Sequence, residues 1–132
     1  MRFVDTIAVD LAGGTSRALF FVDPTADYLK DHFPGVPTLP GLVMLESAVR
    51  AAAALWDATD PASVDRPAAL QSVERLQIVR RVVPGETLTV EATREAGGDA
   101  ATASFMARGT VGGDSAMRAR FRLRRDRHDD PR

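Results

Sequence analysis

Apolar residues follow two different periods along this chain, and the switches between them outline its elements. From residue 40 to 56, apolar side chains such as Leu42, Val43, Met44, Leu45, Ala48, Val49 and Leu55 cover nearly the whole helical circumference. A helix apolar all round is a buried one, and only Glu46, Ser47 and Arg50 interrupt the surface. Pro40 suits the first turn, where a missing N–H costs nothing, and Gly41 lets another group approach the backbone closely. The small residues after Glu46 let neighbouring elements pack tightly.

Elsewhere the period shortens towards two, as in half-buried strands. Residues 6–11 and 17–22 read as a hairpin turned at Gly13-Gly14, after which Asp23-Pro24 breaks the pairing and residues 26–30 make a short helical turn. Beyond the helix, residues 57–67, rich in Asp, Pro, Ala and Ser, form a connecting loop. Strands are expected over 70–82, 87–94, 102–110 and 116–123, separated by Pro84-Gly85, Gly97-Gly98-Asp99 and Gly112-Gly113-Asp114. Short glycine-rich turns are what an antiparallel meander requires. The class is therefore α+β, with one domain over 1–124 and a charged, disordered tail over 125–132.

Composition narrows the chemistry. A chain of 132 residues with 45% hydrophobic content buries a core as one domain, and a net charge of -1 argues against general nucleic-acid binding. With no cysteine there is no disulfide, thiolate or cysteine zinc site, and His32 with His128 makes a poor metal set. Neither a P-loop nor a dinucleotide fingerprint is present, so no cofactor and no metal is expected. No N-terminal signal pattern stands out and the apolar helix is broken by Glu46 and Arg50, so a soluble, cytoplasmic protein without membrane contact is expected. Arg75, Arg80, Arg81, Arg118, Arg120, Arg122, Arg124, Arg125 and Arg127 crowd the second half. They form either a solvated strand face or a docking surface for an acidic partner.

The candidate chemistry lies around the helix. An ionised carboxylate in apolar surroundings is costly unless it is paired, so Glu46 either bridges to Arg50 one turn on or works on a substrate. The loop before the helix, Asp31-His32-Phe33-Pro34-Gly35-Val36-Pro37-Thr38-Leu39-Pro40-Gly41, is stiffened by its prolines. It sets one imidazole, with an unperturbed pKa near ~6.5, where it can exchange protons near neutrality. The free N–H groups of the first helical turn can polarise a carbonyl oxygen. His32, Glu46 and the Gly41 N–H thus supply base, acid and oxyanion donor on one short segment.

These residues, His32-Phe33-Pro34-Gly35-x-Pro37-x-x-Pro40-Gly41 followed by Leu45-Glu46-Ser47, resemble the signature of FabZ-type 3-hydroxyacyl-(acyl-carrier-protein) dehydratases. The segment from Val73 to Leu88, with Val82-Val83-Pro84-Gly85-Glu86, is similar to the strand and turn that follow the central helix in that family. The resemblance implies a hotdog fold, an antiparallel sheet wrapped around a long central helix, as a dimer whose sheets join. The implied reaction removes water from a (3R)-3-hydroxyacyl thioester on acyl carrier protein, in fatty-acid or polyketide-type biosynthesis. By the same resemblance His32 is the base at C2, the Gly41 N–H holds the thioester oxygen, and Glu46 protonates or orients the leaving hydroxyl. His32 of one subunit would serve Glu46 of the other. Phe33, Leu42 and Leu45 are candidate acyl-tunnel lining, and Arg50 a further substrate-side residue. The arginine-rich second half would then dock the acidic carrier.

Three departures qualify the resemblance. Asp31 replaces a glycine before the histidine, Val36 stands where a polar or basic residue is frequent, and Arg50 replaces a glutamine one turn after the acid. Arg50 is therefore expected to point away from Glu46, or Glu46 to act mainly by orienting water. Such divergence suggests a specialised relative acting in polyketide, polyene or unusual lipid pathways. Two alternatives share the fold: a hotdog thioesterase, disfavoured by the intact spacing of His32, Gly41 and Glu46, and a non-catalytic partner subunit of a heterodimeric dehydratase.

Overall fold

The computed structural model describes residues 4–25, 41–60 and 66–125. Its elements run β1 (Thr6–Asp10), β2 (Thr15–Phe21), α1 (Gly41–Thr59), β3 (Ala69–Ile78), β4 (Thr87–Glu95), β5 (Thr102–Val111) and β6 (Asp114–Arg124). All six strands join one antiparallel sheet in the order β1-β2-β4-β5-β6-β3. The expected short helical turn over 26–30 lies outside the described residues.

Alternation decides which sheet face meets the helix. Along β2, Ser16, Ala18 and Phe20 are buried while Arg17, Leu19 and Phe21 are exposed. Leu88, Val90 and Ala92 on β4, Ala103, Phe105 and Ala107 on β5, and Ala119, Phe121 and Leu123 on β6 continue the inner face. Register aligns Ser16, Ala92, Ala107 and Ala119 across four strands. This row of small side chains makes a trough beside the Phe105–Phe121 stack, whose ring centroids lie 6.1 Å apart. Ala48, Ala51 and Ala52 of α1 have no exposed surface, so small residues on both layers allow close packing. The helix lies mainly over β2 and β4 and barely reaches β3.

Every strand differs from the sequence reading by a residue or more at one end or both, and two of the larger shifts, at the end of β3 and the start of β6, have a local cause. Strand β3 stops at Ile78 because the N–H groups of Val79 and Arg80 both turn to the Ala116 carbonyl, at 2.7 and 3.2 Å. The chain then enters the Val83-Pro84-Gly85-Glu86 turn, where Glu86 Oε1 accepts from Val83 N–H at 2.9 Å and Oε2 from Arg80 Nη2 at 3.0 Å. Gly85, with φ of 92°, donates to the Val22 carbonyl at 2.9 Å, tying the turn to the end of β2. Strand β6 begins at Asp114, because Gly112 and Gly113, with φ of 58° and 90°, make a two-residue hairpin turn.

The helix runs past Trp56 to Thr59, so Asp57 is helical and not part of the loop. Thr59 Oγ1 and Asp60 N–H both donate to the Trp56 carbonyl, at 2.9 and 3.0 Å, closing the last turn. Arg125, read as the start of a disordered tail, instead packs within the domain. Its side chain is 1% exposed, bonds to Asp57, donates to the Arg66 carbonyl at 3.1 Å and stacks 4.4 Å from the Trp56 ring centroid. An apolar ring and two acceptors together accommodate a buried guanidinium. Residues 126–132 lie outside the described residues.

Candidate functional site

The α1 N-terminus and its first two turns carry the described part of the site. Gly41 opens the helix, and a Cβ placed on it would lie 3.6 Å from the Ile78 side chain, so the first turn closely approaches the end of β3. A helix apolar all round was the sequence expectation; the structure corrects it. Leu42, 76% exposed, Glu46 and Arg50 form an open stripe at i, i+4 and i+8, while Val43, Met44, Leu45, Ala48 and Val49 face the sheet. The sheet covers only one side of the helix, and helical geometry leaves this stripe on the other.

Glu46 therefore does not sit in a sealed apolar pocket. Arg50 Nε donates to Glu46 Oε1 at 3.3 Å, with the two side chains 53% and 37% exposed. The expectation that Arg50 points away from Glu46 is overturned, because both residues occupy the same stripe one turn apart, where the i,i+4 spacing brings the guanidinium to the carboxylate. Ser47, the third polar residue, is buried and returns its hydroxyl to the Val43 carbonyl at 3.0 Å, a structural role.

The other candidates separate. Leu42 stays on the open stripe with Glu46, whereas Leu45 is core, 8% exposed among residues facing the sheet. His32 and Phe33, with Asp31 and Val36, lie outside the described residues. Among the described residues no cluster of His, Cys, Asp or Glu is placed to hold a metal ion, and no helix is long and apolar enough to cross a membrane.

Beside this site lies a feature the sequence reading did not single out. All of β3 is exposed, and its inner-face side chains Leu70, Val73, Leu76 and Ile78 are 37–43% exposed because α1 touches this strand only at its Ile78 end. Their spacing is not a strict alternation, because register shifts interrupt the pairing between Leu70 and Ser72 and between Val73 and Arg75, so the sequence pattern did not mark this face.

A long helix laid on one face of a six-stranded antiparallel sheet defines a hotdog domain. The family model described as ApeI-like, ApeI dehydratase, matches residues 11–117, and the chain belongs to that family. FabZ 3-hydroxyacyl-(acyl-carrier-protein) dehydratase of Ruegeria sp. (strain TM1040) is 29% identical over 123 residues, covering 90% of this chain and 76% of that protein. The FabZ of Cereibacter sphaeroides (strain ATCC 17025 / ATH 2.4.3) is 32% identical over 91 residues, covering 68% and 58%. For the FabZ of Acidiphilium cryptum (strain JF-5), 33% identical, the shares are 56% and 46%, so the match spans about half the length of such curated relatives. Among solved structures, the dehydratase heterocomplex ApeI:P from Xenorhabdus doucetiae superposes with a TM-score of 0.61 at 20% identity, covering 86% of this chain and 89% of that one. The fluoroacetyl-CoA thioesterase FlK superposes with a TM-score of 0.72 at 16% identity, covering 86% of each chain. At these identities the structural likeness shows the fold.

Proposed function

We propose that the protein dehydrates a (3R)-3-hydroxyacyl thioester carried on acyl carrier protein, giving the trans-2-enoyl thioester. The observation that carries this reading is Glu46 on the solvent-open stripe of α1, one turn beyond the Gly41 N-terminus, in a chain of a dehydratase family. His32 removes the C2 proton, the Gly41 N–H stabilises the thioester oxygen as negative charge gathers there, and the C3–O bond breaks as the C2=C3 bond forms. A carboxylate already bonded to Arg50 serves better as an acceptor, so Glu46 orients the leaving hydroxyl, which departs as water on taking from His32 the proton that His32 removed from C2. Phe33 and Leu42 line the acyl path, and Leu45 supports it from the core side.

A second hotdog subunit completes the site. The exposed apolar row of β3 ends at Ile78, against the first turn of α1, so a subunit covering this edge would bring its own loop to Glu46. We take the occupant to be a second copy of this chain; the ApeI:P likeness makes a related partner the alternative outcome.

Mass spectrometry of a carrier-bound (3R)-3-hydroxyacyl thioester incubated with the wild type, His32→Ala and Glu46→Ala tests the reading. Water loss by the wild type that either substitution abolishes is expected. Free acid would identify a thioesterase, and no reaction across several chain lengths a non-catalytic subunit.

A further inference from the structure

The stretch of chain that carries His32 begins just past the end of β2 and ends where α1 opens at Gly41. Both of its ends rest on one connection, the chain between β3 and β4. At the first end, the Val22 N–H donates to the Glu86 carbonyl and the Val22 carbonyl accepts from the Gly85 N–H, each at 2.9 Å. At the second, Gly41 lies against Ile78, close enough that an added Cβ would come within 3.6 Å of that side chain. Residues 79–86 lie outside every strand, so no ladder fixes their course. Val82 is buried and pins the middle of the connection, but an apolar contact has no direction.

Direction comes from Glu86. Its Oε1 accepts from the Val83 N–H at 2.9 Å, its Oε2 from Arg80 Nη2 at 3.0 Å, and its own N–H donates to the Val83 carbonyl at 3.1 Å. The Arg80 N–H in turn shares the Ala116 carbonyl with that of Val79, the residue after Ile78, at 3.2 and 2.7 Å. One carboxylate thus links the bend at Val83 to the residues that follow the Ile78 wall, while the same residue's backbone holds Val22. The Arg80 and Glu86 side chains are 37% and 25% exposed, so water weakens the pair as a source of stability.

We infer that Glu86 is a positioning residue of the dehydration site. Acting through Arg80 and the 83–86 turn, it fixes Val22 on one side and the Ile78 support of Gly41 on the other; the role rests on the dehydratase reading above. In that reading the Gly41 N–H must meet the thioester oxygen while the stretch leaving Val22 delivers His32 to C2. A misplacement of about 1 Å in such an arrangement costs about a hundredfold in rate. Glutamine cannot hold it, because an amide presents an oxygen on one side only, and either the Val83 N–H or Arg80 would face a donor. Aspartate keeps both oxygens and the charge.

The test follows dehydration of a (3R)-3-hydroxyacyl thioester on acyl carrier protein by the wild type, Glu86→Gln, Glu86→Asp, Arg80→Met and Glu86→Gln/Arg80→Met. Amide hydrogen exchange of the same proteins is read at Val22 and at Leu45 and Glu46, the first amides bonded within α1. In Glu86→Gln, kcat should fall about tenfold or more with KM within about twofold. Glu86→Asp should recover most of the loss, and the double variant should be no worse than Glu86→Gln, since both changes break one link. Exchange at the three amides should quicken about fivefold or more in Glu86→Gln and stay unchanged in β5. Should Glu86→Gln unfold at the assay temperature, Arg80→Met, which keeps the Val83 bond, carries the same comparison. A kcat within about twofold of wild type, a loss carried wholly by KM, no recovery in Glu86→Asp, or unchanged exchange at the three amides would each overturn the proposal. Quickened exchange with no turnover by the wild type would remove the dehydratase reading and leave Glu86 as the residue that positions these two ends.

Discussion

Arg50 and Glu46 are joined across one turn of α1 by a 3.3 Å contact on the face of the helix that the sheet leaves open. An i,i+4 pair this exposed contributes about 0.3–0.5 kcal/mol. Its effect is to orient the carboxylate, and the fold does not depend on it.

Removing Glu46 should therefore separate activity from stability. Glu46→Ala is expected to change unfolding free energy by no more than about 0.5 kcal/mol while lowering turnover by about 10²–10⁴. Denaturant melts run beside the thioester assay check this. A variant that loses activity only because it unfolds would contradict the placement of Glu46 on the open stripe.

Arg125 should behave in the opposite way. Its buried guanidinium holds Asp57, the Arg66 carbonyl and the Trp56 ring, so one side chain joins the end of β6 to the end of α1. Arg125→Ala is expected to cost about 2–3 kcal/mol, less than a fully buried pair because water can reach the half-exposed Asp57. Thermal melts report the loss.

Acid should act through the Val83–Glu86 turn. The Val83 N–H bond holds the Glu86 carboxyl below the usual glutamate range; burial opposes it in part, and the bond and charge of Arg80 add to the lowering. Lowered in the folded state, it contributes stability that is present above the unfolded pKa and lost as pH falls through the folded one. Glu86→Gln should flatten the acid limb of stability against pH and lower stability at neutrality; unchanged acid melts in the variant would exclude the turn as a source of acid sensitivity.

Arg108 and Arg118 stand directly opposite each other on β5 and β6, so these like charges should cost stability. Arg118→Thr relieves the Arg108 pairing and places a strand-favouring residue on β6, so the isolated protein should gain about 0.2–1 kcal/mol. A lower midpoint for this variant would mean that the guanidiniums are held by favourable contacts.

Leu76 lies on the uncovered inner face of β3 at 37% exposure. In the proposed dimer, Leu76→Asp should leave the monomer folded and shift sedimentation from dimer to monomer, with loss of turnover, since the proposed site draws on both subunits. A variant that stays dimeric would place the subunit contact elsewhere.

The elements were largely legible in the sequence because their periods are local. Alternation in β2, β4, β5 and β6 and the apolar run of α1 follow from which side chains must leave water, and glycine pairs such as Gly112-Gly113 mark turns that need positive φ. The Leu45-Glu46-Ser47 run and the Val-x-Pro-Gly-Glu turn were legible as family signals, and the second has a physical basis in the Glu86 bonds that hold it.

What tertiary structure alone decided concerns faces and partners. The helix looked buried all round, yet Leu42, Glu46 and Arg50 stay open, because composition cannot say how much of a helix one sheet covers. Arg125 read as tail because burial of a charge depends on Trp56 and Asp57, distant in sequence and adjacent only once β6 ends beside α1. Among the arginines, the alternation of Arg118, Arg120 and Arg122 was plain, but that Arg108 and Arg75 stand opposite them depends on strand order and register. These are long-range pairings, fixed by the packing of the whole sheet and by no segment within it.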